Sequence, residues 1–377
     1  MRYIITHPIL SNYGGILQAY ALRTALSKVG IQAQSIHYIP RYAHSRPGVA
    51  GLRSAWRYWA PLLKIIAAPQ ASLPQYEQYP FLHASFRRKF MSPWVLDNKR
   101  ENLSRLTQQD SFIVGSDQVW RALYANSLER LTYFFLDFAT PEQRRNSIAY
   151  AASFGSDAWE GTPEETAECA RLLKEFKAVS VREHSGIRIC QEELETEAVQ
   201  MPDPTLLLNA KDYSTIIRKS RARRSCSPFN AVYLLDETAE KQSLLAELAA
   251  QLPQQMQHLT PHSQARKLRD RLPLSIPQWL RYIRDAEFVI TDSFHGCVFA
   301  IIFNKPFVCL GNESRGTARF DSLLGTFGLQ ERLLTNPTAE RVSECMRTPI
   351  NWERVNAIRH GEQQRAFDFL KQNLEKD

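Results

Sequence analysis

The stretch EFVITDSFHGCVFAIIF, residues 287–303, joins an apolar strand core, Phe288 to Thr291, to an apolar segment of helical length, and it places Asp292, Ser293, His295 and Gly296 at the joint. Histidine is the side chain whose ordinary pKa lies nearest neutral pH, so at such a corner it can give or take a proton. Other polar clusters occupy the same kind of joint: Asn12, Tyr13, Gly14 and Gly15; Gly115, Ser116 and Asp117; and Arg182, Glu183, His184 and Ser185. Arginine pairs with carboxylate or phosphate, and a helix start offers backbone N–H groups to an anion. Singly, each cluster also reads as ordinary structure: His295 as a capping residue, Asp292 as an N-cap, Asn12 with Gly14 as a tight turn, Arg182 as the ion-pair partner of Glu183 or a neighbour. Their recurrence at strand ends points instead to one site for an anionic ligand and a proton.

The elements that must position these residues alternate. RYIIT (2–6) is a short apolar strand, followed by SNYGG and a helix in which Leu17, Ala21, Leu22, Ala25 and Leu26 recur at helical spacing before Gly30 ends it. IQAQSIHYI, SFIVGSDQVW (111–120) and RNSIAYAASFG (145–155) read as further strands, a helix follows at about 162–176, and AVSVREHSGIRICQEEL gives strand, turn and helix again. DPTLLL (203–208) reads as a crossing point, with the basic run RKSRARRS (218–225) beyond it. Then come FNAVYLL as strand, TAEKQSLLAELAAQL and SIPQWLRYIRDA as helices, EFVITDS as strand, GCVFAIIF as helix, PFVCLG as strand, and a charged amphipathic helix over about 351–375. Such alternation implies parallel α/β units, here two sheets facing each other, and in open parallel sheets ligands bind beyond the carboxyl ends of the strands. Residues 1–205 are expected to form an N-terminal domain and 206–345 a C-terminal one, with 346–377 packing back across the junction.

Length and composition bound the rest. A chain of 377 residues, 44% hydrophobic and 23% charged, can bury a large core and exceeds one usual domain. It holds no apolar run of about eighteen residues, and MRYIITHPILSNYGG has no signal-peptide layout, so a soluble cytoplasmic protein is expected. The six cysteines, Cys169, Cys190, Cys226, Cys297, Cys309 and Cys345, lie far apart with no zinc-ligand spacing, and read as reduced core thiols. A net charge of +8 suggests an acidic partner, but no nucleic-acid-binding signature accompanies it, so nucleic acid is not expected.

The strings NYGGILQAYAL, FIVGSDQVW, YAASFG, VSVREHSG, DPTLL and TDSFHGCVFAIIFNKPFV carry a resemblance. In their order and spacing, over about residues 3 to 335, the chain resembles the polysaccharide pyruvyl transferase family. The resemblance leaves out the insertion 41–75 and the C-terminal helix. It implies two Rossmann-like domains similar to B-type glycosyltransferases, with the site in the cleft between them. It further implies transfer of pyruvate from phosphoenolpyruvate, a co-substrate rather than a cofactor, onto a sugar or lipid-linked oligosaccharide as a ketal across two hydroxyls, without a metal. On the matching positions, His295 is the expected acid, Asp117 an acidic residue near the acceptor or a base, and Arg182 a donor-binding arginine. Asn12, Tyr13, Gly14, Gly15, Gln18 and Ser116 stand on the acceptor side or its loops. Many members carry an arginine two residues before the motif histidine, and here that place is Ser293. Arg315 and Arg319, in NESRGTARF, are near enough to replace that anchor, or are ordinary surface arginines.

Segment 41–64 interleaves Arg41, Arg46, Arg53, Arg57 and Lys64 with Tyr42, Trp56, Tyr58 and Trp59. It suits a peripheral contact on the inner face of the cell membrane, where basic residues meet anionic lipid, or an insertion packed on the N-terminal sheet. Two other functions stay open: a B-type glycosyltransferase using a nucleotide-sugar, for which no ribose-binding acid is identifiable, and a non-catalytic sugar-binding protein. Oligomeric state is also left open.

Overall fold

A computed structural model of the chain describes residues 1–7, 12–36, 83–91, 106–125, 127–220, 227–236, 238–261, 272–311 and 318–375. Segment 41–64, Arg315 and Cys226, and most of the basic run 218–225, lie outside the described residues. Among the described residues, eleven strands form two sheets, all of whose pairings are parallel. The first, of order β2-β1-β3-β4-β5-β6, is built from β1 (Arg2–Ile5), β2 (Ala33–Ile36), β3 (Ser111–Val114), β4 (Ile148–Ala152), β5 (Ala178–Val181) and β6 (Val199–Gln200). The second, of order β11-β10-β9-β7-β8, takes β7 (Phe229–Tyr233), β8 (Gln255–His258), β9 (Val289–Thr291), β10 (Phe307–Leu310) and β11 (Leu333–Leu334). The central strands are near-continuous apolar runs because helices cover both faces of a parallel sheet, and every residue of β3, β4, β7 and β10 is buried. The expected α/β class with two parallel sheets is the class observed.

Six helices matter for the site: α1 (Tyr13–Lys28), α2 (His184–Glu192), α3 (Ile276–Asp285), α4 (Phe294–Ile302), α5 (Ala318–Phe327) and α6 (Trp352–Leu374). Helix α1 begins at Asn12, whose side chain accepts from the Gly15 N–H, and ends where Gly30 takes a left-handed φ of 81°. Helix α4 is apolar but for His295 and every one of its residues is buried, as befits a helix inside the molecule.

One apolar cluster runs through both sheets, joining Ile4, Ile113 and Tyr150 to Tyr233, Val289 and Phe299. Across the junction, the Tyr13 ring stacks on Trp279 of α3 at 5.1 Å and 19°, and its hydroxyl donates to the Leu274 carbonyl at 2.7 Å. Helix α6 adds Ala366, Leu370 and Leu374 to this cluster and contacts α5 of the second half. It also reaches the first half, where Arg365 donates to the Gln200 carbonyl at 2.6 Å, and the crossing point, where Gln363 donates to the Leu206 carbonyl at 2.7 Å. Five described cysteines, Cys169, Cys190, Cys297, Cys309 and Cys345, are free and buried.

Candidate active site

The polar residues collect beyond the carboxyl ends of β1, β3, β4 and β5, where Arg182, Asp203 and Gly14 meet α4 of the second half. Beyond β3, Gly115 has φ 118°, and a Cβ on it would stand 2.4 Å from the Tyr150 carbonyl oxygen, so no other residue fits without displacing backbone. Asp117 follows at φ 70°, a strained value for a non-glycine residue. Its carbonyl accepts the Ser153 N–H at 3.0 Å and its Oδ1 accepts the Gln118 N–H at 2.9 Å, which fixes the turn against the end of β4. Gln18 holds the same corner from α1: its Nε2 donates to Thr6 Oγ1 at 2.9 Å and its Oε1 accepts the Ser116 N–H at 3.0 Å. Ser116 in turn donates to the Ala151 carbonyl at 2.7 Å. Both residues are buried parts of the frame.

Arg182, at the end of β5 and only 4% exposed, is the hub. Its Nη1 donates to Asp203 Oδ2 at 3.1 Å and lies 3.9 Å from Asp117 Oδ1. Nη2 donates to Ser153 Oγ at 2.9 Å, Nε to Glu183 Oε1 at 3.4 Å, and the guanidinium rests on the Phe294 ring at 4.4 Å. Asp203 is fully enclosed: its Oδ1 accepts from the Thr205 N–H and hydroxyl at 3.0 and 2.6 Å, and its Oδ2 faces both Arg182 and His295 Nε2, the latter at 3.5 Å. His295 Nε2 is buried and makes no hydrogen bond among the described residues. The imidazole lies so close to the α1 start that a Cβ on Gly14 would come within 2.0 Å of its Nδ1. Gly14 is therefore the surface on which the ring sits.

The electrostatics follow from this packing. For Asp203, burial opposes ionisation, but His295 and Arg182, with the Thr205 hydrogen bond, outweigh it and hold the carboxyl well below the usual range. Asp117 is likewise lowered, burial being overcome mainly by Arg182, then by His7, His295 and Arg319. Arg319 of α5 is pushed down to about 10 by burial and by the like charge of Arg182. A pocket opens here, lined by Arg182, Asp203, Phe294, Arg319, Ser322 and Thr326 among others, although His295 and Asp117 do not line it.

The depressed Asp203 pKa makes a stability prediction. Stabilisation from a carboxylate held below its unfolded value is complete at neutral pH and fades as pH falls below about 4. Asp203→Asn is expected to cost about 3–5 kcal/mol at pH 7, the scale for breaking a buried ion pair. The gap to the parent should narrow on acidification below about pH 4. Urea unfolding of both proteins at neutral and acidic pH checks it, and a pH-independent gap would sink it.

Of the residues expected from sequence, Asp117, Arg182, His295, Gly14 and Arg319 are brought together, and Gly15 joins them, since its Cβ position lies 3.5 Å from Asp117 Oδ2. Asn12 is occupied as the α1 cap and Tyr13 in the junction. Ser293 is the N-cap of α4, its hydroxyl accepting from the Gly296 N–H at 3.4 Å. Asp292 accepts from the Leu235 N–H and from Lys241 Nζ, both at 2.7 Å, and ties β9 to the end of β7. Arg315 lies outside the described residues. Asp203 and Ser153 are central here but were not singled out from sequence; the only signal was their place in DPTLL and YAASFG. Among the described residues no group of three or more His, Cys, Asp or Glu side chains is arranged to hold a metal, and no helix is long and apolar enough to cross a membrane.

Two parallel sheets, with these polar residues gathered where they meet, define a two-sheet α/β protein. The family model of polysaccharide pyruvyl transferases matches residues 12–314. The chain belongs to that family, which supports a pyruvyl transfer role in polysaccharide biosynthesis. No curated protein matches it. Among solved structures it is similar to a glycotransferase of kitacinnamycin, at 14% identity over 99% of both chains and a TM-score of 0.43. It is also similar to the N-terminal domain of a Candida albicans trehalose-6-phosphate phosphatase, at 9% identity over 99% of this chain and 98% of that one, TM-score 0.47. A spinosyn forosaminyltransferase aligns at 15% identity over 99% and 98%, TM-score 0.41.

Proposed function

We propose that the chain transfers pyruvate from phosphoenolpyruvate to two hydroxyls of a polysaccharide or lipid-linked oligosaccharide, forming a ketal, and works on the cytoplasmic side. The observation that carries this reading is the approach of His295 to Asp203 and Arg182 from the opposite half, with a second buried cation, Arg319, beside them. Phosphoenolpyruvate is a small anion that needs fixed cations and a proton donor, and this corner offers both.

In the proposed sequence, Arg182 and Arg319 hold the donor's anionic groups, and Arg319 serves where Ser293 stands in place of an arginine. His295 delivers a proton to C3 of the enol, and C2 gains cationic character. A sugar hydroxyl adds to C2, its proton passing to Asp117, whose carboxylate Arg182 keeps ionised. The C2–O bond to phosphate then breaks and the second hydroxyl closes the ketal. Of the two hydroxyl protons, one replaces that given to C3 and the other leaves on phosphate, so the reaction balances without a redox partner. Asp203, locked by Thr205 and Arg182, orients the His295 ring.

Phosphoenolpyruvate is expected to raise the melting temperature in a concentration-dependent way, and nucleotide-sugars to leave it unchanged. A shift with a nucleotide-sugar and none with phosphoenolpyruvate would replace this reading with glycosyl transfer. Silence to both favours a non-catalytic binding protein.

A further inference from the structure

Gln118, the residue after Asp117, is held on every side but one. Its N–H donates to Asp117 Oδ1 at 2.9 Å, and its carbonyl accepts from His7 Nε2 at 2.8 Å and from the Arg121 N–H at 3.2 Å. The side chain is fixed as well. Its Oε1 accepts from Arg121 Nη1 at 3.4 Å, and Arg121 is itself kept in place by the Tyr124 hydroxyl at 3.0 Å and by Glu160, whose Oε2 lies 3.4 Å from Nε. The amide rests on Gly155, where φ is 68° and a Cβ would stand 2.0 Å from Oε1. A guanidinium only donates, so the amide oxygen faces Arg121 and the NH2 group faces away from it. Among the described residues that group donates to none, and it is not enclosed, the residue being half-buried. A donor so oriented, one residue from Asp117, is ready for a substrate without further ordering of the protein.

We propose that Gln118 Nε2 holds the second of the two acceptor hydroxyls, the one that closes the ketal, while the first gives its proton to Asp117. The inference rests on the pyruvyl-transfer reading and adds to it a residue that decides the fate of the intermediate. Once the first hydroxyl has added to C2 and phosphate has left, C2 has cationic character and two oxygens compete for it. If the second hydroxyl adds, a C2–O bond forms, the O–H bond breaks, its proton goes to the departing phosphate, and the ketal results. If water adds instead, it loses one proton and leaves a hemiketal. The hemiketal hydroxyl then passes its proton to the sugar oxygen as the C2–O bond to the sugar breaks, releasing pyruvate and the unchanged sugar. The sum of that side path is hydrolysis of phosphoenolpyruvate to pyruvate and phosphate. A hydrogen bond from Nε2 occupies one lone pair of the second hydroxyl, leaves the other for C2, and keeps water from its place.

The test incubates the full chain with phosphoenolpyruvate and, in turn, the methyl glycosides of glucose, galactose and mannose, and measures phosphate, free pyruvate and ketal. In the parent, ketal should account for nearly all the phosphate released with the sugar it accepts. Gln118→Glu keeps the size and an oxygen for Arg121 but offers no N–H. In it the share of phosphate matched by free pyruvate should rise about tenfold, the scale of one lost hydrogen bond. The KM for the sugar should rise too, while affinity for phosphoenolpyruvate stays near that of the parent. Gln118→Met, which keeps the length and loses both polar atoms, should do the same and serves if Gln118→Glu does not fold. A purely structural Gln118 slows ketal and pyruvate formation together and leaves their ratio unchanged. That result in the folded variants, or a defect confined to phosphoenolpyruvate affinity, would overturn the inference. A parent that releases no phosphate from phosphoenolpyruvate with any of the three sugars would count against the pyruvyl-transfer reading instead, so the two failures are told apart.

Discussion

His295→Ala is expected to lower turnover per folded molecule by on the order of a hundredfold or more, the scale for losing a positioned general acid, while donor affinity stays near that of the parent. The ring's Nε2 stands 3.5 Å from Asp203 Oδ2, and Asp203 keeps Arg182 and Thr205 as partners when the ring is removed. Gly14→Ala gives the same answer by another route, because the new Cβ would come within 2.0 Å of Nδ1 and must push the ring away. Both variants should bind phosphoenolpyruvate and both should be slow. Normal turnover in folded His295→Ala would defeat the proposed mechanism.

Arg182→Ala should fail differently. It removes the partner of Asp203, Glu183 and Asp117 together, and leaving buried carboxylates uncompensated costs about 3–5 kcal/mol. Turnover and donor binding should also fall in the molecules that remain folded, but the first reading is urea unfolding, where the midpoint should drop. Arg182→Lys keeps the charge and loses the forked geometry, so it should fall between the two. Stability close to that of the parent in Arg182→Ala would show that the ion pairs are not what holds this corner.

These expectations also mark what was legible beforehand. SFIV, FNAVY and FVCL read as strands because a strand covered on both faces must be apolar. β8, QMQH, did not, since an edge strand pairs on one side only and its sequence is mostly polar; β6 and β11 are too short to carry a pattern. Asp117, Arg182 and His295 were visible as charged residues at strand ends. The use of Asp203 was not, because an aspartate before proline looks like a turn until the chain brings Arg182 and His295 to it. Gly14 likewise read as turn flexibility, whereas its importance lies in a contact with a ring from the far half of the chain. Local sequence reveals what a residue can do; its long-range neighbours decide whether it does.

The apolar cluster that unites the two sheets, pinned by Tyr13 on Trp279 and closed by α6, makes the halves poor modules. Each sheet has a smaller apolar cluster of its own, but the largest is shared between them, so heating should melt the protein in one calorimetric transition rather than two. For the same reason, a chimaera that joins the first sheet of this chain to the second sheet of a relative inherits a mismatched seam unless both sides of the Tyr13–Trp279 contact travel with it. New acceptor specificities in such a scaffold are reached more cheaply through surface loops and rim residues than by exchanging whole halves.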